Sequence, residues 1–296
     1  MRFLLTVLLF ATLTSTHLKA QTAGSATEGG SSTTTDSASR AVRLGLVPPA
    51  ASALAENDTE FRFGMLEEPE ISTGPITMTA GTYAVFHTSE GDILVRLFTE
   101  KAPRTVENFV GLATGRKPWK HPITMTEMRS PLYNNTTIYK TVENALLYGG
   151  DPINRGVGEP GYTLAREESD PKAFEEPGTL AASLAGSNSS GSRWLFALRS
   201  FPGWSARYTA FGRIIGGMDV ALAISRRPTK RPTVPLDPVL VNSIEILEVP
   251  AGKKTTATYS SENGKRYLTV EKNFQDDLPA ASTQAAGSGQ PAAENG

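Results

Sequence analysis

The chain has 296 residues and a formal net charge of −1 at pH 7, so it has no bulk basic field that would attract nucleic acid or anionic lipid. It contains no cysteine, which excludes disulfides, thiolate nucleophiles and cysteine-ligated zinc sites. Its three histidines are scattered along the sequence, a pattern that does not favour a histidine-rich metal site or a histidine-based triad.

The amino terminus has the pattern of a secretory signal peptide. Arg2 supplies a short basic region, Phe3–Leu13 is an apolar run, and Ala20 followed by Gln21 is a suitable cleavage point. The run is too short to span a bilayer as a helix, which favours cleavage over the alternative of a membrane anchor. The sequence therefore predicts a signal peptide at 1–20 and an exported chain, periplasmic or extracellular, without a membrane span in its mature form.

Low-complexity segments flank a denser middle. Residues 21–40 are mostly Gly, Ser and Thr with little to bury, which predicts a flexible linker. Residues 41–81 form an N-terminal extension whose structure the pattern leaves undecided. Residues 250–296 form a polar C-terminal extension with one strand-like run at Tyr267–Val270, and we expect it to be largely disordered at its end. A folded domain is expected at 82–249.

The domain opens with a predicted β-hairpin. Tyr83–Thr88 and Asp92–Phe98 are strand-like, and a glycine-bearing turn joins them. A short amphipathic helix follows, because Pro103 precedes an apolar period and Gly115 ends it.

The remainder of the domain reads as short strands and one more helix. The second helix is predicted at Met218–Ser225, and a closing strand at Val239–Val249. Many short strands with two short helices indicate a mainly β domain, either a barrel or a sandwich.

Several local motifs, in this order and spacing, resemble the cyclophilin family over about residues 82–249. They are Thr105–Phe109 with Thr114–Gly115, Tyr133–Lys140 running on to Gly149–Pro152, Gly178–Ser183 through Gly191–Phe196, and Ala210–Ile214 with Gly217–Met218. The stretch Gly156–Tyr162 is similar to bacterial members of the family.

The resemblance implies a closed eight-stranded antiparallel β-barrel capped by two α-helices, with substrate bound on an outer face. It also implies a peptidyl-prolyl cis-trans isomerase that acts on X-Pro bonds of exported proteins and assists their folding. Its partners would be proline-containing polypeptides. Rotation about a peptide bond needs no metal or other cofactor, so none is expected.

The family's site residues map onto positions that this sequence has largely replaced. Lys140 stands at the position of the catalytic arginine and is the candidate donor to the substrate. Ala145 stands where the family has a phenylalanine that grips the proline ring. The candidate substrate-binding residues are Leu146, Tyr148, Ser183, Leu184, Arg193, Leu195, Trp204 and Tyr208.

Other interpretations of the same residues remain open at this point. Lys140 could be a solvated surface lysine, and Tyr148 and Trp204 could be packing residues with polar tips in water. Arg193 could pair with a glutamate at 167–168 or 175–176. His87 lies in a strand pattern, which favours a structural role over a catalytic one.

Two other functions compete with isomerisation. The family's arginine, phenylalanine and glutamine positions are replaced here by Lys140, Ala145 and Tyr148, which fits a binding module that keeps a proline-peptide groove without turnover. The polar terminal segments fit a structural or envelope-associated role in which they act as tethers. The sequence does not predict an oligomeric state.

Overall fold

A computed structural model describes residues 74–277, in which the chain forms sixteen strands, two α-helices and one 3₁₀ turn. The predicted signal peptide at 1–20, the linker at 21–40, most of the N-terminal extension and the end of the C-terminal extension lie outside the described residues. The strands are β1 (Ile76–Thr88), β2 (Gly91–Leu97), β3 (Trp119–Lys120), β4 (Glu127–Met128), β5 (Thr136–Ile138), β6 (Lys140–Val142), β7 (Leu146–Gly149), β8 (Thr163–Leu164), β9 (Thr179–Ala185), β10 (Asn188–Ala197), β11 (Ala210–Gly216), β12 (Thr229–Arg231), β13 (Val234–Pro235), β14 (Val239–Glu262), β15 (Lys265–Val270) and β16 (Gln275–Asp276). The helices are α1 (Pro103–Thr114) and α2 (Met218–Ser225), and the 3₁₀ turn is Trp204–Ala206. The prediction of a mainly β fold is confirmed.

The predicted hairpin is confirmed, because β1 and β2 pair antiparallel from Tyr83↔Arg96 to Thr88↔Gly91. Gly91 has φ 128°, and a Cβ there would lie 2.6 Å from the carbonyl oxygen of Arg266. A residue without a side chain is therefore needed at the point where the C-terminal part of the chain touches this turn.

Both predicted helices are confirmed. Pro103 opens α1, and Gly115 ends it in the left-handed conformation at φ 73°. The backbone N–H groups of Arg104 and Thr105 donate to the carboxylate of Glu167 over 3.0 and 2.7 Å, so a distant side chain satisfies the start of this helix. Neither helix in residues 74–277 is long and apolar enough to cross a bilayer.

One sheet contains most of the strands. Antiparallel pairing runs in the order β6, β7, β10, β9, β11, β2, β1, β14, and β5 lies on the far side of β14. Tyr139 alone separates β5, which pairs with β14, from β6, which pairs with β7. This order places β6, β7, β9 and β10 side by side, and they contain most of the predicted site residues.

The inner face of the sheet packs into an aromatic core against both helices. The ring of Phe86 lies 5.9 Å from that of Phe109 and 5.2 Å from those of Trp194 and Phe196, measured between centroids. These side chains fill the space inside the sheet, so a substrate must bind on the outer face.

The C-terminal extension folds over the outer face of the same sheet. β14 continues beyond residue 249 to Glu262, and the strand-like run at Tyr267–Val270 lies in β15, which pairs with it. The expected domain limits at 82 and 249 thus fall inside β1 and β14. Apolar side chains buried between this hairpin and the sheet form what we call the second core: Met78, Tyr83, Val85, Leu94, Val249 and Ala257.

Candidate active site

Most of the predicted site residues share one outer face of the sheet. Leu147 of β7 belongs to the inner core, so its neighbours Leu146 and Tyr148 point the opposite way, since side chains alternate along a strand. Leu195 lies between Trp194 and Phe196 of β10, which both belong to the inner core, so its side chain also points to the outer face. Tyr148 pairs with Lys140 on one side and with Leu195 on the other, which brings these three side chains together. We call this surface the site face.

Lys140 is half-buried against an aromatic ring. Its Nζ lies 5.0 Å from the centroid of the Tyr148 ring, a cation–π distance. Burial lowers the pKa of Lys140 from its ordinary value. This environment differs from that of a freely solvated lysine, the alternative that the sequence left open. The role of Lys140 as a donor remains a prediction.

An aromatic wall borders the site face. The Trp204 ring stacks on Tyr208 at 4.8 Å and on Phe201 at 4.2 Å between centroids. Burial raises the pKa of Tyr148, with Tyr208 and Tyr139 close by, and burial also raises the pKa of Tyr208. Both phenols therefore stay protonated at neutral pH and can donate hydrogen bonds.

The floor of the site face is apolar and nearly closed to solvent. Leu146 is 2% exposed and Leu195 is fully buried, while Tyr208 is 3% exposed. Ser183 on β9 is also buried, and Leu184 beside it is half-buried. The surface open to a substrate is therefore formed by Lys140, Tyr148 and Trp204. Leu184 follows the inner-core residues Leu180 and Ala182 at every second position along β9, so its contact with substrate remains a prediction.

Arg193 uses its guanidinium within the protein. Its Nη2 and Nε donate to Oε1 of Glu159 over 2.7 and 3.1 Å, and its Nη1 donates to the carbonyl of Gly156 over 2.7 Å. Nη2 also lies 3.3 Å from the carbonyl of Leu184. The expectation of a partner at 167–168 or 175–176 is wrong, because Glu167 receives hydrogen bonds from the start of α1 instead. The geometry favours a packing role for Arg193, and its contact with substrate remains a prediction.

Sequence reasoning missed two members of this region. Glu159 binds Arg193 and also accepts from the hydroxyl of Ser190 and the N–H of Gly191, both over 2.8 Å. Tyr139, between β5 and β6, contacts Arg193, and burial raises the pKa of Tyr139 to about 12. The only signal for Glu159 is an acidic residue inside a glycine- and proline-rich turn, which does not identify its partner.

Asp151 fixes the loop that presents Glu159. Its carboxylate is fully buried and accepts from four backbone N–H groups over 2.8–3.0 Å: those of Ile153, Arg155, Val157 and Gly158. Opening this loop would leave a buried carboxyl group without hydrogen-bond partners, which disfavours its release. Within residues 74–277 no three His, Asp or Glu side chains are grouped so that they could hold a metal ion.

Comparison with known proteins finds a family match over most of the sheet. Residues 83–246 match the family model described as cyclophilin-type peptidyl-prolyl cis-trans isomerase/CLD. This range contains every residue of the candidate site.

Bacterial relatives match at moderate identity. The chain is 35% identical over 172 residues to peptidyl-prolyl cis-trans isomerase B of Streptomyces anulatus, covering 57% of this chain and 98% of that protein. It is 33% identical over 184 residues to peptidyl-prolyl cis-trans isomerase A of Mycobacterium tuberculosis, covering 62% of this chain and all of that protein. A crystal structure of a cyclophilin-type isomerase from Cryptosporidium parvum aligns with a TM-score of 0.49 at 23% identity, covering 57% of this chain and 99% of that one.

Proposed function

This chain belongs to the family of cyclophilin-type peptidyl-prolyl cis-trans isomerases, and we propose that it catalyses rotation about X-Pro bonds with Lys140 as the donor to the substrate. The observation that carries this assignment is the row Lys140, Tyr148 and Leu195 across three paired strands. It places a cation, a phenol and an apolar floor next to one another on an outer face.

The reaction requires stabilisation of a twisted peptide bond. Resonance holds the bond planar with a barrier of about 18–20 kcal/mol, and twisting leaves a proline nitrogen that can accept a hydrogen bond. The ammonium of Lys140 would donate to that nitrogen, and the protonated hydroxyl of Tyr148 would hold the neighbouring carbonyl. The bond to the nitrogen forms only in the twisted state, which is the condition for catalysis, whereas the bond to the carbonyl holds the substrate in position.

The proline ring would contact Tyr148 and Trp204, which are half-buried and border the site face. Leu146, Leu195 and Tyr208 are nearly or fully buried and would support these side chains from beneath. The polypeptide partners would bind with the ring on Tyr148 and Trp204 and with the X residue toward the end of β9, where Leu184 lies. Ser183, buried beside Leu184, would shape this end of the site.

We further propose that eight strands close into a barrel. Tyr139 alone separates β5 from β6, so residues 136–142 can serve as one strand that pairs with β14 at one end and with β7 at the other. Counting this strand with β1, β2, β7, β9, β10, β11 and β14 gives the number expected from the family.

A coupled isomerisation assay on X-Pro tetrapeptides tests the role of Lys140. We expect Lys140→Ala to lower kcat/KM by about 10²-fold, the scale of a lost oxyanion donor, and Lys140→Arg to keep or raise it. The matched control is Lys230→Ala, at an exposed lysine on β12, which should leave the rate unchanged. Equal rates for wild type and Lys140→Ala would remove Lys140 from the mechanism.

A second candidate function is a proline-peptide binding module with little turnover. It is favoured by the packing of Tyr208, which is buried beneath Trp204 and leaves little open pocket for a ring. Peptide binding measured by calorimetry, without acceleration at high protein concentration, would select this function over isomerisation.

We also propose that the chain acts on exported proteins outside the cytoplasm. The apolar run Phe3–Leu13 and the cleavage point after Ala20 support this localisation. N-terminal sequencing of the protein from cell fractions should find a chain that begins at Gln21 outside the cytoplasm. A chain that keeps Met1 and stays in the cytoplasm would contradict export.

A further inference from the structure

A cavity of about 420 Å³ lies at the second core, between the sheet and the C-terminal hairpin. None of the candidate active-site residues lines it. Its walls come from three strands, and their apolar members are Met78, Val85, Leu247, Val249, Leu268 and Val270. Its volume is within the range of small-molecule sites, and most such sites have walls of this apolar kind.

The mouth of the cavity is predominantly acidic. Glu245, Glu248 and Glu271 line it, and all three are exposed, while Lys272 is the one lysine or arginine among its lining residues. His87 also reaches the rim, where its ring contacts Asp92 at 2.9 Å and Glu245 at 3.5 Å. The carboxylates therefore outnumber the cations at the opening.

An aromatic side chain stands at the same opening. Phe274 lines the cavity and is 43% exposed, although large apolar side chains are usually buried. It lies between β15 and β16, where it could pack against an apolar ligand that enters between the hairpin and the sheet.

We propose that this cavity binds a small molecule with an apolar body and one cationic group. The body would occupy the space between Val85, Leu247 and Val270, where burial of apolar surface provides the main attraction. The cationic group would stay at the mouth beside Glu245 and Glu271, where opposite charge adds a smaller and salt-sensitive attraction. The site is separate from the site face and does not depend on isomerase activity.

Calorimetric titration of the full chain with decyltrimethylammonium, below its micelle concentration, tests the proposal. Decyl sulfate, which has the same tail and the opposite charge, is the matched probe. We expect the cation to bind about tenfold more tightly than the anion at low salt, and the difference to shrink at high salt. Equal binding of the two probes, or tighter binding of the anion, would overturn the assignment.

Two variants test whether the cation binds in this cavity. Val270→Phe adds a ring to a half-buried wall position and should abolish binding of the cation. The double variant Glu245→Gln with Glu271→Gln changes only exposed side chains, so it should fold normally and bind both probes about equally. The control Glu262→Gln, at an exposed glutamate on the same hairpin outside the cavity, should bind as wild type does. If the double variant still preferred the cation as strongly as wild type does, the cavity would be excluded as the binding site. This result would hold even if Val270→Phe failed to fold.

Discussion

Arg193 lies between the loop that contains Glu159 and the end of β9, and its guanidinium donates to groups on both sides. The sequence could identify Arg193 as a candidate site residue, because it lies in the segment Gly191–Phe196 that resembles the family. It could not identify the partner, because the contact with Glu159 spans 34 residues and depends on how Asp151 folds the intervening loop. A residue's position in a motif can be read from the sequence, whereas the hydrogen-bond partner of its side chain depends on residues that are distant in the chain.

We expect Arg193→Leu to destabilise the protein by about 3 kcal/mol, because it leaves the largely buried carboxylate of Glu159 without its cation. Urea denaturation at neutral pH measures this change. The control is Arg129→Leu, which removes an exposed pair with Glu127 and should change the free energy of unfolding by less than about 1 kcal/mol. Similar losses in both variants would contradict the structural role of Arg193.

His87 makes stability depend on pH. A hydrogen bond with Asp92 raises the pKa of His87 although burial opposes it, and Glu245 adds to the rise. A group whose pKa rises on folding stabilises the protein fully below its unfolded pKa, about 6.5, and this contribution is lost as pH rises through the folded value.

Urea midpoints measured over a pH series should therefore fall from about pH 6.5 upward in wild type. The fall should be smaller in His87→Gln, while His121→Gln, at a turn elsewhere in the fold, should follow wild type. If the urea midpoints of wild type and His87→Gln changed with pH in the same way, the contact between His87 and Asp92 would not be the source of the pH dependence.

Regular elements were predictable where the hydrophobic period was strong. The hairpin, both helices and the strand Val239–Val249 follow apolar spacing and flanking glycine or proline. The second half of β14 has no such signal, because residues 250–262 are mostly polar and only Ala257 among them enters the second core. A strand that covers the outside of a sheet needs few apolar residues, so sequence patterns underestimate it.

The start of α1 depends on one distant carboxylate. Burial would raise the pKa of Glu167, but hydrogen bonds from Thr105 and Arg104 lower it overall, so it is ionised at neutral pH. We expect Glu167→Gln to lower the free energy of unfolding by about 1–2 kcal/mol, as for a lost helix cap. Chemical denaturation is the measurement, and Glu168→Gln, at the exposed neighbour, is the control. Equal stability of both variants would remove Glu167 from this role.

The whole molecule joins a family domain to a hairpin that covers its outer face. Deleting residues 250–296 would expose Tyr83, Val85 and Leu94, which are at most 1% exposed in the complete fold. We expect the deletion to reduce the free energy of unfolding by at least about 3 kcal/mol and to increase binding of an apolar dye. The control deletion of 278–296 retains every residue of the second core and should match wild type. Equal stability of both truncated chains would show that the hairpin contributes little.

The pairing of β1 with β14 also sets the order of events during synthesis. Tyr83 pairs with Leu247, so the first strand of the sheet meets its partner only after nearly the whole chain has been made. Closing so long a loop is entropically unfavourable and slow, and until it closes β1 has only β2 beside it. A nascent chain of this protein therefore carries an exposed apolar strand edge until β14 emerges. The sheet is completed only once β14 is available, and the risk of aggregation through the open edge of β1 is highest in the interval before that.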